Sequence, residues 1–186
     1  MKKTLLSLAV SAAAFLLSGA GIDIGGNFQP ASRTSYPMKW WANAKGKNVK
    51  CLISAPDARG NRTLTIKSQL KPKESFALYG TAPVKIYPGD VITLTGEARV
   101  LKGKAAAGFF IYDLPKSMYG RQQALPLSQD FKYFSFTYKA TARNNELRPV
   151  LNLTGDSEAS FRNVALDVKR APGSWAEKRA FRYYPV

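Results

Sequence analysis

The chain has 186 residues, with 28 Lys and Arg against 12 Asp and Glu, for a formal net charge of +16, one cysteine and no histidine. The absence of histidine excludes His-dependent triads, His metal ligands and imidazole acid–base chemistry. A lone Cys51 excludes an intramolecular disulfide, so a packed core must hold the fold.

Residues 1–20 read as a bacterial secretory signal. Lys2 and Lys3 start it, an uncharged apolar run from Thr4 to Leu17 follows, and Ser18-Gly19-Ala20 supplies small residues for cleavage after Ala20. The apolar run is shorter than the roughly 20 residues of a spanning helix. No cysteine lies near the cleavage point to carry a lipid, and nothing after it resembles a membrane span. The expected organisation is a signal over 1–20, one domain over 21–170 and a basic, aromatic tail over 171–186. The strong positive charge favours an anionic partner, such as an acidic glycan or a cell-envelope surface.

Gly21 to Lys50 is rich in Gly, Asn and Lys, and reads as loops with at most a short strand. In it, Trp40 is expected to pack and Trp41 to point the other way. From Arg62 the pattern becomes short alternating runs, the mark of half-buried strands. Leu64 and Ile66, Phe76 and Leu78, and Val84 and Ile86 lead to a turn at Pro88-Gly89-Asp90. Ile92, Leu94, Ala98 and Val100 share the next inward face, with Gly96 marking a bulge or close approach. Lys102-Gly103-Lys104 reads as a turn, and Ala107, Phe109 and Ile111 alternate with Gly108, Phe110 and Tyr112. Asp113 to Asp130 reads as a long connection. Phe134 to Tyr138, Val150 to Leu153, and Val164 to Val168 complete about eight strands with frequent turns. This pattern predicts an all-β fold, a sandwich or barrel.

The order of these signals resembles the family 4/9 type of carbohydrate-binding module, a jelly-roll β-sandwich related to galactose-binding domains. The likeness runs through Gly25-Gly26-Asn27-Phe28, Pro37 with Trp40, Pro83 to Val100, Asp130 to Ala140, and Ser160 to Leu166. It implies about eight or nine antiparallel strands and binding without catalysis. Two positions depart from it. Gln29 and Arg162 stand where the family has acidic residues that help hold a structural calcium, and a guanidinium repels that ion. No metal or cofactor is therefore expected. Gln29 and Arg162 are instead expected to approach one another.

Sugar recognition needs flat apolar faces beside hydrogen-bonding groups. Trp41, Arg99, Tyr112, Tyr119, Arg121 and Asn152 are the candidate ligand residues. Arg99, Tyr112 and Asn152, with Tyr133, fall on the faces opposite the core residues of their strands, which can line one concave sheet. Tyr119 and Arg121 fall in the long connection. No nucleophile elbow, phosphate loop or metal-spaced cluster occurs, so an enzyme is not expected. Export argues against nucleic acid as the primary partner. The expected function is non-catalytic binding of a polysaccharide or anionic glycan. A structural or adhesive surface protein without a sugar site is the alternative.

Overall fold

The computed structural model describes residues 21–32, 36–42, 48–113 and 118–172. The expected signal and all but the first two residues of the expected tail lie outside them. Nine strands run in chain order: β1 Trp40–Ala42, β2 Val49–Ile53, β3 Leu64–Gln69, β4 Ser75–Gly80, β5 Val84–Lys85, β6 Val91–Asp113, β7 Met118–Leu125, β8 Lys132–Lys139 and β9 Asn144–Lys169. All pair antiparallel, and among the described residues there is no helix.

The two long strands organise everything else. β6 and β9 pair from Val91↔Lys169 to Asp113↔Asn144. Their first-encountered halves belong to different layers. The C-terminal half of β6 and the N-terminal half of β9 are flanked by β7 on one side and by β4 and β1 on the other. The N-terminal half of β6 and the C-terminal half of β9 are flanked by β8 and by β3 and β2. We call these layers sheet I (β1-β4-β9-β6-β7) and sheet II (β2-β3-β9-β6-β8). Their inward faces meet in one apolar core that includes Phe76, Leu78, Phe109 and Leu151 from sheet I and Leu64, Ile66, Leu94 and Phe161 from sheet II. This is a jelly-roll sandwich in which two strands serve both layers.

Passing from one layer to the other requires a bend in each through-strand. The register slips between Lys102 and Lys104. Gly103 (φ 72°) and Gly155 (φ 68°) take the left-handed backbone there, which costs an L-residue roughly 1–2 kcal/mol. Serine hydroxyls satisfy the loosened backbone. Ser68 Oγ donates to Gly155 O (2.8 Å), Ser157 Oγ donates to Thr154 O (2.6 Å), and the Lys104 amide donates to Ser157 Oγ (2.9 Å). Ser68 and Ser157 are buried, where an unmade hydrogen bond is costly.

This bend corrects the sequence reading at Lys102-Gly103-Lys104. The chain does not reverse there; a positive-φ glycine serves a bulge as well as a turn. Val150–Leu153 and Val164–Val168 are likewise parts of one strand. The connection from Asp113 to Asp130 contains β7, which pairs with β6 and with no other strand among the described residues. Gly96 meets its expectation: it lies at a register slip, and a Cβ there would sit 2.8 Å from the Phe134 ring. Trp40 is buried at 3 % exposure, while Trp41 stands 40 % exposed.

Where β7 and β8 come together, the margin between the sheets is closed by polar groups. Tyr138 Oη donates to Asn144 Oδ1 (2.6 Å), and Asn144 Nδ2 donates to Asp113 Oδ1 (2.5 Å) and to Tyr119 Oη (3.2 Å). The two phenol oxygens lie 3.1 Å apart. Cys51 sits on an inward-facing position of β2, and burial pushes its thiol up to about 12.

Gly103→Ala is expected to cost about 3 kcal/mol, since it adds both left-handed strain and collision with Ser157, whose Cα would lie 2.8 Å from the new methyl. Gly155→Ala should cost only about 1 kcal/mol, because its nearest neighbours lie at 3.9 Å. Urea unfolding midpoints of the two variants check the contrast. At pH 8 the Cys51 thiol, held protonated by its raised pKa, should react with Ellman's reagent far more slowly in the folded protein than in denaturant.

A candidate glycan-binding face

In a strand whose alternate residues build the core, the others must face outward. On sheet I these outward residues fall in register across the strands. One row reads Trp41, Tyr79, Val150, Gly108, Gln122. The row beside it reads Ala77, Asn152, Ala106, Ala124. On the other side come Arg148 with Phe110, then Glu146 with Tyr112 and Met118.

The aromatic members touch. Trp41 stacks on Tyr79 with centroids 5.0 Å apart and planes at 26°. Tyr79 meets Phe110 edge-on at 5.5 Å, and Phe110 lies 6.4 Å from Tyr112. The result is a diagonal ridge of four rings over the sheet, with Val150 fully buried among its strands. Burial first, and the neighbouring Tyr112 second, raise the Tyr79 phenol above its ordinary value.

Beside the ridge lies a lane of small side chains. Ala77, Ala106 and Ala124 leave it low, and it crosses four strands, about 14 Å at the usual strand spacing. The edge strand β7 leans over this face. A Cβ on Gly108 would lie 2.7 Å from Gln122 Cα, so only glycine admits the approach. Asn152 stands in the lane, and its Oδ1 is buried without a hydrogen-bonding partner among the described residues. Arg148 flanks the ridge on the far side. Its Nη1 donates to Gly80 O (3.1 Å) and to Thr81 O, but its buried Nε has no partner among the described residues. Buried polar atoms are normally satisfied, so both atoms stand out on this face.

Three of the six candidates from sequence, Trp41, Tyr112 and Asn152, therefore share one face. Arg99 does not. It faces outward from sheet II, where its Cζ lies 5.0 Å from the Phe131 ring centre. Tyr133 is also on that side and 69 % exposed. The expectation that Arg99, Tyr112, Tyr133 and Asn152 line one sheet is thus corrected, because β6 changes layers between Arg99 and Tyr112. Tyr119 faces the interior margin and bonds Asn144. Arg121 is exposed on β7, its Cζ 5.5 Å from the Tyr119 ring centre. Tyr79 is an aromatic candidate in the sequence too, whereas Phe110, Gln122 and Arg148 are not among the residues that sequence reasoning singles out for the site. The alternation of Tyr79 with Leu78, and of Phe110 with Phe109, was the available signal.

No family model matches the sequence, and no curated protein matches it. Solved structures do match the fold. The xylan-binding CBM22-1 domain from Paenibacillus barcinonensis superposes with a TM-score of 0.55 at 11% identity, over 83% of this chain and 99% of that one. A CBM4 structure gives 0.53 at 16% identity, over 78% and 98%. The enzymatically active domain of tailspike protein 4 from bacteriophage CBA120 gives 0.55 at 11% identity, over 71% of this chain and only 20% of the tailspike. The chain has the jelly-roll fold of carbohydrate-binding modules of the family 4/9 type.

The two positions that depart from that family bond different partners. Arg162 grips Glu97 with two bonds, Nε to Oε2 (2.9 Å) and Nη2 to Oε1 (3.0 Å), and Asn163 Nδ2 adds a third (2.8 Å). Gln29 bonds Arg62 instead, accepting from its Nε (3.3 Å), and donates to Gly60 O (3.5 Å). Among the described residues no hydrogen bond joins Gln29 to Arg162; Arg62, which Gln29 bonds, lines the same small pocket as Arg162. Glu97, supplied by β6 opposite Arg162, satisfies the guanidinium first. These bonds, led by that of Arg162, hold the Glu97 carboxyl below its ordinary range.

A carboxylate held low in the folded state stabilises it above the unfolded pKa, and that contribution is lost as pH falls through the lowered value. Glu97→Gln should therefore flatten the loss of stability below about pH 4.3, the ordinary glutamate value. Melting temperatures of both proteins across pH 2.5–6 test this, as an expected window from about that range.

Proposed function

We propose that this is an exported protein that binds a polysaccharide on the outward face of sheet I and leaves its bonds intact. The observation that carries the reading is the ridge Trp41–Tyr79–Phe110–Tyr112 beside a lane holding an unpartnered amide oxygen. Aromatic faces take up the C–H side of a sugar ring. Asn152 Oδ1 can accept from a sugar hydroxyl, and the free donors of Arg148 and Gln122 can reach ring or hydroxyl oxygens. A few placed polar groups among apolar walls are the usual makeup of a ligand site.

The fold supports this reading, since a xylan-binding domain shares it over almost its full length. The apolar start at Thr4 to Leu17 supports export. Among the described residues no helix is long and apolar enough to cross a membrane. The charge of +16 favours glycans with acidic groups. Tyr119 and Arg121 enter as supports of the β7 rim, where Arg121 is exposed to a long ligand.

Screening the protein without residues 1–20 on a glycan array should reveal a preferred polysaccharide. Trp41→Ala and Asn152→Ala should each weaken its binding about tenfold by calorimetry, the equivalent of roughly 1.4 kcal/mol. Purified protein should release no new reducing ends from that glycan. Unchanged affinity in both variants, or no glycan bound at all, sinks the proposal and leaves the structural or adhesive role.

A further inference from the structure

Arg99 sits on the opposite side of the sandwich from the aromatic ridge, in surroundings of its own. Its guanidinium lies over the Phe131 ring, with Cζ 5.0 Å from the ring centre. Arg162 approaches the same ring to 4.1 Å. Two carboxylates stand near Arg162: Glu97, whose bonds go to Arg162 and Asn163, and Asp57, which acts on it through space without a bond. Arg99 has no ion pair and no hydrogen bond among the described residues, and its Nε is buried. Two cations thus share one ring, and the carboxylate bonds beside it go to Arg162, leaving Arg99 without one. A guanidinium held flat by an aromatic ring keeps its planar fork of donors ready. The fork matches the paired oxygens of a carboxylate or a sulfate. Arg162 adds a further donor, since Glu97 occupies only its Nε and Nη2.

We propose that Arg99, backed by Phe131 and neighboured by Arg162, is a second binding site for an oxyanion borne on a glycan, a sulfate ester or a uronate carboxylate. The site stands apart from the proposed ridge site on sheet I and can succeed or fail without it. Together they would let one chain grip a neutral stretch of polysaccharide on one side and an acidic group on the other.

The test uses the chain from residue 21 onward, titrated with dextran sulfate oligosaccharides, oligogalacturonate and unmodified dextran. The two acidic probes separate sulfate from carboxylate recognition. Arg99→Gln should weaken binding of the preferred acidic probe about tenfold, and Arg99→Lys, which keeps the charge without the fork, about threefold. Lys139→Gln removes the same charge from an exposed position on the same sheet and should change it less than twofold. Equal losses in Arg99→Gln and Lys139→Gln would mean diffuse charge attraction and overturn the site. So would binding to anionic phospholipid vesicles with no binding to either acidic glycan. Chemical shifts of the Phe131 ring on titration provide a readout even if Arg99→Gln folds poorly: no movement with either acidic probe overturns the proposal.

Discussion

The ladder between β6 and β9 is the interaction on which the rest of the molecule rests. Each sheet obtains two of its strands from this pair, and every other strand except β1 and β2 pairs directly with one of the two. The arrangement needs no disulfide. It does need each long strand to bend while keeping its partner. Gly103 and Gly155 supply the backbone freedom, and Ser68 and Ser157 supply the hydrogen bonds that the bend leaves over. A core drawn from both layers then forms on the inside of the bend. Neither sheet is a separable unit, because cutting at the corner would take the centre out of both.

The same ladder positions the outward faces. On sheet I the outward residues include aromatic rings, alanines, the amides of Asn152 and Gln122, and one tethered arginine. On sheet II they are mostly threonines and charged groups, including the Lys67–Glu158 and Arg162–Glu97 pairs. The two surfaces differ in chemistry although they share strands. One offers flat rings beside a shallow lane; the other offers a planar cation on a ring. The first is the sort of surface that a sugar ring covers, and the second suits a charged substituent.

Much of this architecture was legible in the sequence, because inward residues repeat every second position from Leu64 to Val168. That rhythm gave the all-β fold, and it separated Trp40 from Trp41. It was silent where rhythm fails to report geometry. Gly103 has the same backbone need in a bulge as in a turn, so a bend read as a reversal. Met118 to Leu125 is an edge strand with little apolar surface on either side, so it read as loop. Arg99 and Tyr112 lie on one strand with outward positions, and nothing in the alternation says that the strand changes layer between them. Gln29 and Arg162 were paired by family position, while the cross-strand register gave Arg162 to Glu97.

Along the central strands, residues of the ridge and lane alternate with residues of the core. Asn152 lies between Leu151 and Leu153, and Phe110 between Phe109 and Ile111, all four neighbours fully buried. A single inserted or deleted residue in these strands would turn the oily interior to water and the ridge to the inside. Divergence among descendants of this chain is thereby channelled. Recognition can drift by exchanging one side chain for another at fixed strand length, whereas changes of length are confined to the loops between strands, such as that between β7 and β8.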